Sequence, residues 1–111
     1  MKLRALHTLY RLSLIRKHWA FEQALQNPQA AQERILLQIL KRNARTRYGQ
    51  QWGFSGMGSV DQYREKVPLI TYDDISPYIE AMKNGETNIL TAEPVKVFEK
   101  TSGSAAPSKY I

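Results

Sequence analysis

The apolar residues in the first half of the chain recur at intervals of three and four, and Asn27-Pro28 interrupts this pattern. Such spacing places an apolar stripe along a helix, so it predicts an amphipathic α-helix over about residues 3–25. Asn27 suits an N-cap, and Pro28 suits the first helical position, where a missing N–H costs nothing. A second helix is therefore expected directly after the first.

Positive charge is concentrated in this helical half. Residues 1–47 hold ten Lys or Arg and two acids, a net +8, whereas residues 48–111 hold six and eight, a net −2. The absence of cysteine excludes disulfides, thiolate zinc sites and cysteine nucleophiles, and it fits a cytoplasmic location. No apolar run approaches the roughly 18 residues of a membrane span. Arg11 and Arg16 interrupt any signal-peptide core, and a mitochondrial presequence is the alternative to an ordinary first helix.

The second half begins with a glycine-rich segment, residues 46–59, which has four glycines in fourteen residues. It predicts a loop whose aromatic side chains pack against the helices. Ser59 with Gln62 forms a capping-box pattern for a short helix that ends before Val67-Pro68. A further helix is expected from about Ser76 or Pro77 to Lys83, ended by Asn84-Gly85.

Residues 88–102 contain β-branched and apolar residues, and residues 95–100 alternate in the manner of strands. The predicted fold class is therefore α+β, with N-terminal helices followed by short strands. We expect one incomplete domain over residues 1–111, in which residues 1–47 form a basic helical segment. Residues 48–111 would hold the glycine-rich loop, the short helices and the first strands.

The segment "TSGSAAPSK", residues 101–109, has the composition of a phosphate-binding loop. It offers small residues that let backbone N–H groups approach an anion, together with hydroxyls and one lysine. A Walker pattern that starts at Gly103 puts Lys109 in register, but Ser108 replaces the second glycine and Tyr110 replaces the metal-binding hydroxyl. On composition alone, a frayed polar tail is the alternative.

Three segments, taken in order, carry a resemblance to a known family. They read "RNARTRYGQQWGF", "SVDQYREKVPLITYDDISPYIEAMKNGETNILT" and "PVKVFEKTSGSAAPSKYI". Together they resemble the N-terminal part of the auxin-responsive acyl-acid amido synthetase family, which includes plant indole-acetic-acid and jasmonate conjugating enzymes and bacterial relatives. The resemblance covers about residues 25–111.

This resemblance implies an adenylate-forming ligase that uses ATP, a small carboxylic acid and an amino acid, with Mg²⁺ implied by the chemistry and no protein ligand identified for it. The matching chain would belong to the large N-terminal domain. The family's first nucleotide motif is a Ser/Thr/Gly-rich loop between two strands. Its counterparts here, and the nucleotide-binding residues that we predict, are Thr101, Ser102, Gly103, Ser104 and Lys109. Ala105 and Ala106 depart from the hydroxyl residue and the glycine that are common in the family.

The family's enzymes are several times longer than this chain, so the resemblance implies an N-terminal fragment that is inactive alone. Unpaired strand edges and exposed apolar faces would favour self-association of the isolated chain. No catalytic residue is identified, and no metal site is expected because His7 and His18 lack a cluster of partner ligands. Asp73 and Asp74 are interpreted as partners of a helix dipole.

An alternative function rests on the basic half, which could be a small helical module that binds nucleic acid or an anionic surface. Its candidate patch combines positive charge with aromatic rings. The patch comprises Lys41, Arg42, Arg45, Arg47, Tyr48 and Trp52. A solvated helix face whose aromatics serve the core is the favoured interpretation of the same residues, and nucleic-acid binding is not expected.

Overall fold

The computed structural model describes residues 2–102 and 108–111, with side chains from residue 6 onward. The helices are α1 (Lys2–Gln26), α2 (Pro28–Asn43), α3 (Arg47–Trp52), α4 (Val60–Lys66) and α5 (Tyr72–Lys83), with a 3₁₀ turn at Phe54–Gly56. The chain divides into two compact units, Met1–Ile35 and Leu36–Ile111. No helix in the described part is long and apolar enough to cross a membrane.

The first two helices confirm the prediction made from periodicity. The Asn27 side-chain oxygen accepts a hydrogen bond from the Ala30 N–H at 3.1 Å, as an N-cap does. Pro28 occupies the first helical position. A single residue therefore separates α1 from α2.

The predicted strands were wrong, and with them the α+β fold class. The described residues contain no β-strand, and the only β-type pairing among them is an antiparallel bridge between Lys100 and Tyr110. Val97 in the alternating segment is 72% exposed, so the alternation does not separate a buried face from a solvated one. A strand needs a neighbouring strand to pair with, and residues 108–111 supply only one short partner.

The segment that follows α5 is instead held by bonds to helices. The Arg47 and Tyr48 N–H groups donate to the carbonyls of Asn88 and Ile89, at 2.8 and 3.0 Å. The Ala92 N–H donates to the Asn43 side chain at 2.9 Å. These backbone groups find partners in α2 and α3 and need no sheet.

The glycine-rich segment is also more ordered than predicted, because α3 begins inside it. Thr46 is fully buried and acts as the N-cap, and its Oγ1 accepts the Gly49 N–H at 2.9 Å. Gly49 is required for close packing, since a Cβ there would lie 2.0 Å from the Asn43 carbonyl oxygen. Gly53, at φ 68°, ends the helix in the left-handed conformation that glycine tolerates.

The prediction that aromatics of this segment pack against the helices is confirmed. Leu40 of α2, Phe54 and Met57 are buried together, and Tyr48 and Trp52 pack against them. The Tyr48 ring meets Trp52 and Phe54 edge-on, with centroids 6.2 and 6.0 Å away. Burial is the largest cause that raises the pKa of the Tyr48 hydroxyl.

Helices α4 and α5 both begin at a capping residue, but the start of only the first was predicted correctly. Helix α4 follows the predicted cap, since Ser59 Oγ accepts the Gln62 N–H at 3.2 Å. Helix α5 begins at Tyr72, before the predicted start at Ser76 or Pro77. The reason is its cap, because the Asp74 carboxylate accepts both the backbone N–H and the hydroxyl of Thr71, each at 2.7 Å.

Candidate functional site

The predicted phosphate loop is closed at its base by two paired arms, residues 99–101 and 109–111. Glu99 and Ile111 exchange two backbone hydrogen bonds, both of 2.9 Å, and the Thr101 N–H donates to the Lys109 carbonyl at 2.8 Å. These bonds surround the Lys100–Tyr110 bridge. The described ends of the segment are therefore fixed to each other.

Two of the predicted site residues meet at the neck of this loop. The Lys109 backbone N–H donates to Thr101 Oγ1 at 2.9 Å. Because the hydroxyl is an acceptor in that bond, its own proton is left to donate elsewhere. Thr101 is half-buried, whereas the Lys109 side chain is exposed and forms no ion pair among the residues that the structure describes.

Helix α5 supports the second arm through a tyrosine. The Tyr72 hydroxyl oxygen accepts the Tyr110 N–H at 3.0 Å. The Lys109 ammonium lies 5.1 Å from the centre of the Tyr72 ring, within the range of a cation–π contact. One aromatic residue thus contacts both the backbone and the lysine of this arm.

A lysine at the other end of α5 contacts the same arm. The Lys83 Nζ lies 3.8 Å from the centre of the Tyr110 ring and donates to the Glu80 carboxylate at 2.8 Å. The hydrogen bond to Glu80 is the main cause that raises the pKa of Lys83, so this cation is already partnered. Lys109 is the better placed of the two ammonium groups to meet an added anion.

The structure therefore brings together only part of the predicted site. Thr101 and Lys109 form the neck, and Ser102 follows Thr101 as an exposed residue. The predictions at Gly103 and Ser104 lie outside the described residues. The arrangement supplies a hydroxyl proton and an ammonium group, which are donors suited to a phosphate.

The sequence reasoning missed the residues that position the neck, Tyr72, Lys83 and Tyr110. No spacing rule links them, because Tyr72 and Tyr110 are 38 positions apart. The one available signal was the capping pattern of Thr71 with Asp74, which would have placed Tyr72 on α5. It could not have shown which segment this helix contacts.

The alternative basic patch is partly neutralised and partly buried. Arg42 pairs with Glu93 at 3.1 Å and Arg47 pairs with Glu86 at 2.6 Å. Its two aromatic residues pack against the core described above. Both rings are half-buried, so less of their surface is open for stacking with bases.

Comparison with known proteins identifies the family. Residues 17–111 match the GH3 family N-terminal domain. The chain is 41% identical over 86 residues to the rice (Oryza sativa subsp. indica) protein indole-3-acetic acid-amido synthetase GH3.8. The aligned residues make up 77% of this chain and 14% of that protein.

Two further relatives agree with this match. Indole-3-acetic acid-amido synthetase GH3.2 of Arabidopsis thaliana is 35% identical over 91 residues, or 81% of this chain and 17% of that protein. Jasmonoyl--L-amino acid synthetase JAR6 of Nicotiana attenuata is 33% identical over 85 residues, or 76% of this chain and 15% of that protein. The chain thus aligns with only a small share of each relative's length. The matches confirm the family resemblance that the sequence predicted. This chain belongs to the GH3 family, in the region of its N-terminal domain.

Proposed function

We propose that this chain is the N-terminal part of an ATP-dependent acyl-acid amido synthetase and that residues 101–109 form its first nucleotide loop. The observation that carries the proposal is the closed neck, where Thr101 and Lys109 meet across the paired arms. Family membership supports the reaction class, since the relatives named above are amido synthetases. A cytoplasmic location is part of the proposal.

In such a reaction a carboxylate and ATP give an acyl-adenylate and pyrophosphate, and an amine then displaces AMP to leave an amide and a proton. This chain's contribution would be to hold phosphate oxygens. The Thr101 hydroxyl would donate its free proton, and the Lys109 ammonium would offset the negative charge. Ser102, Gly103 and Ser104 are the other nucleotide-binding residues that we propose. Donors fixed in advance need little rearrangement when charge shifts between phosphate oxygens.

The described residues fit the phosphates better than they fit a metal ion. They include no group of three His, Cys, Asp or Glu side chains that could hold one. Mg²⁺ commonly keeps its waters and binds through substrate phosphates, with only one or two carboxylates from the protein. We therefore assign no residue of this chain to Mg²⁺, which the family chemistry implies.

The substrates are proposed by class. The names of the relatives include indole-3-acetic acid and a jasmonoyl-L-amino acid. We propose a small carboxylic acid as the acyl donor and an amino acid as the acceptor. The described residues do not distinguish one acid or one amino acid from another.

A chimaera tests the proposed loop in a working enzyme. Residues 17–111 would replace the aligned segment of the rice relative, and amide formation would be measured as acid- and amino-acid-dependent AMP release. We expect Lys109→Ala to lower kcat/KM about 100-fold, the scale of one lost transition-state donor. Lys96→Ala is the matched control, because it removes the same charge outside the loop.

If Lys109→Ala behaves like Lys96→Ala in an active chimaera, the loop assignment is wrong. The 111-residue chain by itself is expected to show no amino-acid-dependent AMP release, since it aligns with 14–17% of the relatives' lengths. Sustained turnover by the isolated chain would contradict that expectation.

A further inference from the structure

Helix α1 exposes an unusual amount of apolar surface for a helix this rich in positive charge. Nine of its large apolar side chains are between 39 and 66% exposed. They are Leu6, Leu9, Tyr10, Leu12, Leu14, Ile15, Trp19, Phe21 and Leu25. The same helix carries five Lys or Arg and a single acid, Glu22. Exposed apolar side chains of this number mark a surface that contacts something other than water.

These side chains are not spread evenly around the helix. With about 100° between successive residues, Leu6, Leu9, Tyr10, Leu14 and Phe21 fall within an arc of about 140°. We call this set the apolar arc. Three basic residues lie near it. Arg16 lies beside one edge, Arg11 lies beyond the other, and Lys17 lies within it together with the polar residue Ser13.

Three of the remaining apolar side chains of α1, Leu12, Ile15 and Trp19, lie on another side, whereas Leu25 borders the apolar arc. Trp19 lines a groove together with Ala30 and Ala31 from the start of α2, within the same compact unit. Leu12 and Ile15 flank Trp19 around the helix. Ala20 and Ala24 line the same groove and fall within the angular range of the apolar arc, so the members of the arc before residue 17 are separated from α2 by their position along the helix.

Most of the apolar arc also precedes the part of the chain that matches the family domain. That match begins at residue 17, whereas Leu6, Leu9, Tyr10 and Leu14 come before it. This part of the helix therefore lies outside the matched domain.

We propose that α1 binds the surface of an anionic phospholipid bilayer, lying in its plane with the apolar arc directed into the lipid. Charge complementarity selects this occupant. Arg11, Arg16 and Lys17 can reach phosphate headgroups while their aliphatic stems cover apolar surface. A nucleic acid would engage the same cations but would leave the exposed Leu side chains in water. Tyr and Trp rings are likewise common at the boundary between lipid and water.

Vesicle sedimentation of the full chain tests this proposal. We expect binding to vesicles of 70% phosphatidylcholine and 30% phosphatidylglycerol, weak binding to pure phosphatidylcholine, and a steep loss of binding as salt rises. The triple variant Arg11→Gln, Arg16→Gln, Lys17→Gln should lower the partition coefficient about 100-fold, on the basis of about fivefold for each cation. The matched control is the triple variant Lys41→Gln, Arg42→Gln, Arg45→Gln, which removes the same charge from the end of α2 and from the residues just after it. This control should lower the partition coefficient by less than about tenfold.

A fluorescence measurement tests the orientation of the helix. In the natural chain the indole of Trp19 lies outside the apolar arc, whereas Trp19→Phe combined with Phe21→Trp moves the indole into it. Lipids brominated on their acyl chains should quench the second protein more strongly than the first. Trp52 is present in both proteins and gives the same background. Equal quenching of both would overturn the proposed orientation.

The proposal is overturned if neutral and anionic vesicles bind equally or if the two triple variants lose equal affinity. It is also overturned if the chain binds an RNA oligonucleotide or a second copy of itself and leaves anionic vesicles unbound. Circular dichroism of each variant should show unchanged helix content. If the triple variant loses helix, the salt dependence of the unaltered chain tests the same electrostatic attraction.

Discussion

Tyr72→Phe tests whether α5 positions the neck of the loop. The substitution removes only the hydroxyl oxygen that accepts the Tyr110 N–H at 3.0 Å. The ring stays, and with it the face that lies 5.1 Å from the Lys109 ammonium. Any change in the arms therefore reports on one hydrogen bond.

The expected size follows from what the arms retain. Three backbone bonds between residues 99–101 and 109–111 remain in the variant. A neutral hydrogen bond contributes about 1 kcal/mol net, so its loss should raise the open population of the arms about fivefold. The rest of the second unit should keep its stability, because opening is confined to one end of the chain.

Amide hydrogen exchange by NMR measures this opening. The Thr101 and Ile111 N–H groups bond across the arms and not to Tyr72, so both should exchange about fivefold faster in Tyr72→Phe. Tyr78→Phe is the matched control, since it removes a hydroxyl from the same helix that donates to Gln51. Its effect on the arms should be negligible.

Two results would refute the reasoning. Unchanged exchange at Thr101 and Ile111 in Tyr72→Phe would mean that the arms hold together without α5. An equal increase in Tyr78→Phe would mean that the arms respond to general loss of stability in α5. In either case Tyr72 would not be a positioning residue for the loop.

Two further predictions concern the scaffold. Gly49→Ala should lower the free energy of unfolding by about 2–3 kcal/mol in denaturant titrations, because its Cβ would collide with the Asn43 carbonyl. Gly56→Ala, which meets nothing within 4 Å, should stay within about 0.5 kcal/mol, and an equal loss in both would refute the steric argument. The hydrogen bonds from Thr71 lower the pKa of Asp74. The cap therefore stabilises α5 at pH values above the pKa that Asp74 has in the unfolded chain, and this stabilisation is lost as pH falls below about 4. The protection factor of the Thr71 amide, which corrects for the intrinsic pH dependence of exchange, should then fall in acid, and Asp74→Asn should remove that fall; its persistence in the variant would contradict the assignment.

The sequence was informative wherever the interactions are local. The boundaries of α1, α2 and α4 were predicted closely because caps such as Asn27 and Ser59 act on residues three positions away. It was wrong at residues 95–100, where alternation was read as a strand although Val97 is exposed. An alternating pattern shows only that neighbouring side chains differ in polarity. It cannot show that another strand is present for this segment to pair with.

The same distinction between local and distant interactions applies to the candidate site. Composition predicted Thr101 and Lys109 as part of one loop, and the structure places them in contact at its neck. The supports of that neck, Tyr72 and Lys83, could not be predicted, since no local rule relates α5 to the end of the chain. The family resemblance, by contrast, was already visible from three sequence segments and their order along the chain.

By itself, the sequence determined the first two helices, the charge of the N-terminal half and the family. These depend on residue periodicity, on caps a few residues long and on the order of segments along the chain. Only the tertiary structure decided that the glycine-rich segment contains α3, that Asn88, Ile89 and Ala92 bond to α2 and α3, and that Tyr72 supports the second arm. Each of these depends on a contact between distant residues, which forms only once the chain has folded.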